Sequence, residues 1–420
     1  VTDHKSPARP AAEPARRGSI RGLFSHQESG LVIVILLMGL GLTIYGAINP
    51  VKQQTAISLG PDASVVLLDL VGEPHPPGAL PRTQISAVAV TEEGLTTEYA
   101  SNDGWRYDST ARTIFGERAA NAFLNRGNLV LVARAASFFA IMAVGMTAVI
   151  ILAGIDLSVG SIYGLSAIVG AMALTSLDPG ASGVLAIPIA LAVCVSVGAL
   201  CGLANGAMTV GLRVHPFVIT LGMMAALRGL TIVLPSTFFN SQSIGGFPVS
   251  FTSGFFRYEI GGVQPVPVIL MLLVAAGGWF VLSRTVFGRR VFAIGGNETA
   301  ARYAGIPVGR VKIIVYTTMG ALAGLSACAS IGFFGAAETN AGNAYELQVI
   351  AATVIGGASL MGGRGSALGA VLGAIVIQLI NNAMLILDVD QNYNQIVMGV
   401  AIIIAVVIDQ TKQRLSARKG

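Results

Sequence analysis

A chain of 420 residues that is 53% hydrophobic and only 11% charged, with a mean hydropathy of +0.72, cannot solvate the surface of a globule its own size. Soluble domains carry about 25% charged residues, so a soluble fold is excluded. Apolar runs near the length that crosses a bilayer, about 20 residues, recur along the chain and are rich in Gly and Ala, which identifies an all-α, polytopic helical membrane protein.

In chain order, residues 1–28 are low in hydrophobicity and rich in Pro, Ala and Arg, the composition of a disordered tail. A first transmembrane helix follows over 29–48, its apolar run starting at residue 31. About 30 mostly polar residues precede that run, more than a secretory signal's n-region holds, so the span reads as an anchor that stays. Residues 49–127 form a long insert. Within it, "SVVLLDL" and "TQISAVAVT" flank the proline-rich "GEPHPPGALP" and read as two strands, and "TARTIFGERAANAFLN" reads as an amphipathic helix entering the membrane. A small extracytoplasmic subdomain with some β structure and a loop folded onto the helix tops are both compatible with that pattern.

Further spans are expected near 129–152, 158–176, 183–209, 216–234, 266–283, 311–333, 346–361, 366–387 and 394–409, about ten in all, and residues 128–409 make one membrane domain. The spans around "AGIDLS" and "GGASLMGGRGS" are separated so briefly that broken or re-entrant helices could stand there. Lysines and arginines set the orientation. With the N-terminus inside, Arg213, Arg284, Arg289, Arg290, Arg302, Arg310, Lys312 and Arg364 share one side with both basic ends, 410–420 included. Apart from the long insert, the other side holds little more than Arg257. Long loops translocate largely regardless of charge, so both termini are expected in the cytoplasm.

Gly198, Gly202, Gly206, Gly320 and Gly324 place small residues four apart, which favours close helix packing within or between subunits. Cys194, Cys201 and Cys328 lie in apolar spans without ligand spacing, the four histidines are scattered, and no metal or cofactor is expected. HExxH and GxSxG are absent, so the chain reads as a non-enzyme. "GGASLMGGRGS" approaches a phosphate loop in its glycine spacing, but it lacks the lysine and reads as a tight turn in which Gly362, Gly363 and Gly365 allow positive φ and Arg364 stays in water.

The run "SRTVFGRRVFAIGGNETAARYAGIP" from Ser283 puts three arginines and a short helix of small residues into one polar loop, 284–310. Asn297 can cap that helix, Glu298 sits near its positive end, and Ala300, Ala301 and Ala304 leave a smooth face. Flanked by Arg289, Arg290 and Arg302, it suits docking into a groove of another protein; arginines that merely anchor span ends are the competing explanation.

Polar groups inside apolar helices are candidates for a solute pathway. Asp156 is the conspicuous acid, although "GIDLSVGS" also places it with Ser158 where a helix cap belongs. Asn205, Gln378, Asn381 and Asn382 could meet a polar solute or simply bond between helices. Glu338, Asn340, Asn343, Tyr345 and Glu346 lie in an outside loop, open to a partner or to solvent.

Three stretches carry a resemblance: "MTAVIILAGIDLSVGSIYGLSA" from Met146, "GRRVFAIGGNETAARYAGIPVGRVK" from Gly288 and "LQVIAATVIGGASLMGGRGSALGAVLGA" from Leu347. Over roughly 129–409 the chain resembles the permease subunit of bacterial ATP-binding-cassette importers of the ribose and monosaccharide type; the long insert departs from that pattern. The resemblance implies that Gly288, Ala293, Gly295, Asn297, Ala300, Ala301 and Gly305 shape a surface resting on a separate ATPase. It further implies a second permease copy or paralogue, two ATPase domains, an extracytoplasmic binding protein and residence in the bacterial inner membrane, with no nucleic-acid partner. An ion-coupled secondary transporter is the alternative, disfavoured by the scarcity of intramembrane acids. A channel or scaffold component needs no docking helix.

Overall fold

The computed structural model describes residues 26–400 except 60–62, 72, 78–84, 93–94, 101–105, 109–111, 391–392 and 394, together with 403 and 407. The expected tails, apart from residues 26–28, and half of the last expected span lie outside the described residues.

Eleven helices are described: α1 (His26–Ile48), α2 (Arg126–Ile151), α3 (Val159–Thr175), α4 (Gly183–Gly211), α5 (Pro216–Phe239), α6 (Val266–Arg284), α7 (Val286–Gly296), α8 (Glu298–Tyr303), α9 (Val308–Phe334), α10 (Tyr345–Ile355) and α11 (Ala367–Ile386). Among the described residues, α1, α2, α4, α5, α6, α9 and α11 are long and apolar enough to cross a membrane. The apolar helices α3 and α10, of 17 and 11 residues, fall short of the about 20 needed, so two of the expected spans are short helices. Helical residues 395–400 begin the tenth.

The chain divides into two compact units, one built on Ala133–Ile380 with the start of α1, the other comprising Leu37–Val132 and Asn381–Gln391. In the first, α2, α9 and most of α3 are buried, while α4, α5 and α6 leave most of their apolar side chains exposed or half-buried, as helices facing lipid or a partner do. The seam between α4 and α9 is made by glycine. A Cβ at Gly198 would run into the Gly320 carbonyl oxygen, and one at Gly324 into that of Cys194, so the two backbones touch with no side chain between them. The four-residue glycine spacing therefore serves packing within the chain. All three cysteines are free.

The second unit carries two antiparallel sheets. Strands β1 (Val51–Ser58), β6 (Arg106–Asp108) and β7 (Thr113–Ala120) form one in the order β1-β7-β6. Strands β2 (Ser64–Asp69), β3 (Pro74–His75), β4 (Ile85–Glu92) and β5 (Leu95–Ala100) form the other in the order β3-β2-β4-β5. The two strands expected around the proline-rich turn are β2 and β4. The amphipathic helix expected over 110–125 is overturned: Thr113–Ala120 is a strand, paired from Val51↔Ala120 to Ser58↔Thr113 with a partner whose sequence, "VKQQTAIS", gives little strand signal alone. Its β-branched and aromatic start, Thr-Ile-Phe, suits a strand, and Ile114 is fully buried with Leu67, Val88 and Val90 of the other sheet.

Two polar locks tie this unit. Asn121 accepts hydrogen bonds from Phe123 N at 2.9 Å and Leu124 N at 3.0 Å while donating to Thr43 O at 2.8 Å. Asp69 Oδ1 accepts from Val71 N and Glu73 N, and its Oδ2 lies 3.2 Å from His75 Nε2, closing the β2–β3 turn.

Candidate functional site

The run that begins at Ser283 folds as two short helices bent at Asn297. Thr285 caps α7 by accepting from Gly288 N at 3.1 Å, and the helix turns Gly288, Val291 and Ile294 inward while Arg289, Arg290 and Ala293 face out. Asn297 then adopts an extended conformation, φ −160°, and its side chain accepts from Ala300 N at 2.9 Å, the N-cap expected of it. α8 ends at Gly305, whose φ of +79° strains any other L-residue, as Ile306 N bonds back to Ala301 O.

Two contacts fix this element to the helices behind it. Glu298 accepts from Lys312 of α9 at 2.7 Å and from Arg302 at 3.0 Å. The Lys312 hydrogen bond, with Arg302 beside it, holds the Glu298 carboxyl below its ordinary value of 4.5. At the end of α7, a Cβ on Gly295 would enter the Ile151 carbonyl oxygen at the end of α2 and lie 2.8 Å from Gly363 N. That same Ile151 oxygen accepts from Gly363 N at 2.9 Å. The end of α7, the end of α2 and the turn before α11 are thus in backbone contact. In that turn Gly362 and Gly363 have positive φ and Arg364 is exposed; Gly365 has no positive φ and is required instead because Ile151 and Thr147 approach it.

What faces outward is a patch of small and basic groups: Ala293, Asn297 and Ala300 with Arg289, Arg290 and Arg302. Of the residues expected to shape a docking surface, Gly288, Gly295 and Ala301 instead pack against the chain itself, with Ala301 4% exposed. Tyr303, absent from the sequence expectation, is 88% exposed at the end of α8. Its position three residues after Ala300, on the same helix face, was the available signal.

Each expected pathway residue is placed by its own contacts. Asp156, Ser158 and Asn205 meet, all fully buried: Asp156 Oδ1 accepts from Ser158 N at 2.9 Å and Ser158 Oγ at 2.6 Å, and Asn205 Nδ2 donates to Ser158 Oγ at 2.7 Å. The carboxylate thus organises the entry to α3 and ties it to α4. Asn382 pairs with Asn128 through both amide groups, at 3.1 and 2.6 Å, while Gln378 is buried and Asn381 half-buried along α11. In the loop before α10, Glu338, Asn340 and Asn343 are exposed, but Tyr345 and Glu346 turn inward toward α3. Arg228, inside α5, was also missed, although a lone arginine within an apolar span is a readable signal.

A bundle of apolar helices with a capped, basic, small-residue element between two of them is the architecture of a polytopic membrane protein. The family described as branched-chain amino acid transport system / permease component matches residues 128–406, and the chain belongs to it. The chain is 40% identical over 299 residues to the ribose import permease protein of Escherichia coli K12, covering 69% of this chain and 88% of that one. It is 38% identical over 298 residues to the D-allose transport system permease protein of the same organism, covering 71% and 87% respectively. It is also 34% identical over 311 residues to the fructose import permease protein of Rhizobium meliloti, covering 72% and 83%. No solved structure matches the chain.

Proposed function

We propose that this protein is the membrane-spanning subunit of an ATP-driven importer of a sugar or sugar-like solute, working with two ATPase domains on separate chains, a second permease copy or paralogue, and an extracytoplasmic binding protein. The sugar reading rests on one observation: the relatives above, 34–40% identical over most of their length, are named as ribose, allose and fructose permeases. The family description names amino acids instead, and the experiment below separates the two.

In this reading both termini and the α7–α8 element lie in the cytoplasm of the bacterial inner membrane, as the lysine and arginine distribution supports. Arg289, Arg290, Ala293, Asn297, Ala300, Arg302 and Tyr303 rest on the ATPase. Gly288, Gly295, Glu298, Ala301 and Gly305 hold that surface in shape. Closure of the ATPase domains around ATP moves α8, and the backbone contacts of Gly295 with Ile151 and of Ile151 with Gly363 pass the movement to α2 and α11. Glu338, Asn340 and Asn343 meet the loaded binding protein. The permease supplies a route and coupling; hydrolysis belongs to its partners.

The test is ATP-dependent uptake by the reconstituted complex, offered D-ribose, D-allose, D-fructose and L-leucine in parallel. Uptake of a sugar and not leucine is the expected result; leucine alone, or uptake that follows an ion gradient without ATP, refutes the reading. Ala300→Glu, on the exposed face of α8, should lower substrate-stimulated ATPase activity while leaving membrane insertion intact.

A further inference from the structure

Two charges in the helical core have no part in the scheme above. Arg228 stands near the middle of α5, half-buried, and Glu346 stands in the first turn of α10, also half-buried. Charges among apolar helices are costly and ordinarily close into pairs. These two feel each other electrostatically, yet no ion pair joins them. Of the five N–H donors of Arg228, Nη1 bonds to Ala341 O at 2.8 Å, and no other hydrogen-bond partner is found among the described residues. The Glu346 carboxylate pairs with no other side chain among the described residues.

Glycine brings them to one place. A Cβ on Gly160 would lie 2.6 Å from Glu346 Oε2, and one on Gly164 would lie 3.5 Å from Arg228 Nη1. The carboxylate and the guanidinium therefore sit along successive turns of a single face of α3, where α3 and α10 both begin. Tyr345, which precedes Glu346 in α10, packs its ring 5.2 Å from that of Tyr163 and 4.7 Å from that of Phe139, centroid to centroid.

We propose that Arg228 and Glu346, together with Tyr345 in the same first turn of α10, form a contact point for a neutral polyhydroxylated solute on its way through the protein. The argument is one of complementarity. An anion would leave the carboxylate uncompensated and a cation would leave the guanidinium so, whereas hydroxyl groups accept from one and donate to the other. A sugar's C–H face also suits an aromatic ring. Helices that begin inside the bundle, as α3 and α10 do, are a recurring way to build such a site. The inference rests on the sugar-importer reading and adds a location for solute contact.

The test uses the full complex of permease, ATPase and binding protein in proteoliposomes, with the neutral variants Arg228→Gln and Glu346→Gln. Each should cut uptake of the imported sugar about tenfold, the ~1.4 kcal/mol of one lost charge-assisted hydrogen bond. The uptake ratio among D-ribose, D-allose and D-fructose should change in both variants, while ATPase stimulation by loaded binding protein stays within about twofold in Glu346→Gln, which leaves both α8 and the bond from Arg228 to Ala341 O in place. Unchanged uptake ratios in both variants would overturn the proposal. So would recovery of normal uptake and ratios on combining Arg228→Glu with Glu346→Arg, or failure of both single variants to assemble with the ATPase, since either outcome makes the pair structural. An unmutated complex that imports no sugar refutes the function itself, and this contact with it.

Discussion

Gly295 and Gly296 are neighbours at the end of α7, and they make a matched experiment. A Cβ on Gly296 meets nothing within 4 Å, whereas one on Gly295 enters the Ile151 carbonyl oxygen and lies 2.8 Å from Gly363 N. Both obstacles are backbone, so no side chain can swing aside. Gly→Ala within a helix gains up to about 1 kcal/mol from propensity, and near the C-terminus of α7 that gain is similar at both positions. At Gly295 it is opposed by overpacking, about 1–3 kcal/mol, and by disturbance of the 2.9 Å bond from Gly363 N to Ile151 O, a further ~1 kcal/mol. The net expectation for Gly295→Ala is a loss of about 1–3 kcal/mol, or about 5- to 150-fold in equilibrium terms; Gly296→Ala should be neutral or slightly stabilising. Thermal unfolding of the two purified variants in detergent reads the difference. Indistinguishable melting curves would refute the backbone contact between α7 and α2. Because the scheme routes force through that contact, Gly295→Ala should also lose sugar uptake more than it loses ATPase activity.

Two further outcomes follow from the polar contacts. The folded-state Glu298 carboxyl is held below 4.5, so the stability it lends α8 is present in full above that ordinary value and disappears as pH falls through the depressed one. Glu298 is 41% exposed, so the effect is modest. Wild-type protein should therefore destabilise more steeply below about pH 4.5 than Glu298→Gln, and superimposable acid melting profiles would count against it. Asp156→Ala strips the acceptor from Ser158 N and Oγ in a fully buried setting, which costs about 1–3 kcal/mol for each group left unmet, whereas Asp156→Asn keeps an acceptor oxygen. Yield and melting temperature should drop sharply for the first and little for the second; equal losses would show that charge, not bonding, is what the cluster needs.

The long helices were legible because a span is specified locally, by enough consecutive apolar residues, and the cap at Asn297 because Asn before Glu and a run of alanines is a local signal too. Where the outcome depended on partners distant in sequence, reading along the chain failed. Thr113–Ala120 contains enough spacing to pass for a helix, and the strand at Val51–Ser58 that claims it is mostly polar. The brevity of the "AGIDLS" and "GGASLMGGRGS" connections did announce irregular helices, but not that α3 and α10 would begin side by side. Tyr345 and Glu346 sit in a stretch that reads as an outward loop; only the glycines of α3, a hundred and eighty residues earlier, draw them inward. Ala301 looks like its neighbour Ala300, and the difference between a covered and an open alanine is set by the helix it lies against.

The join between α4 and α9 bears on which parts of the molecule are free to shift. Where carbonyls and glycine α-carbons mesh directly, neither rod can slip along or roll over the other without one main chain climbing past its neighbour, so the two behave as a single stiff beam. Any swing between inward- and outward-open forms must then hinge at looser joints, and the thinly covered α5 and α6 are where such play is available.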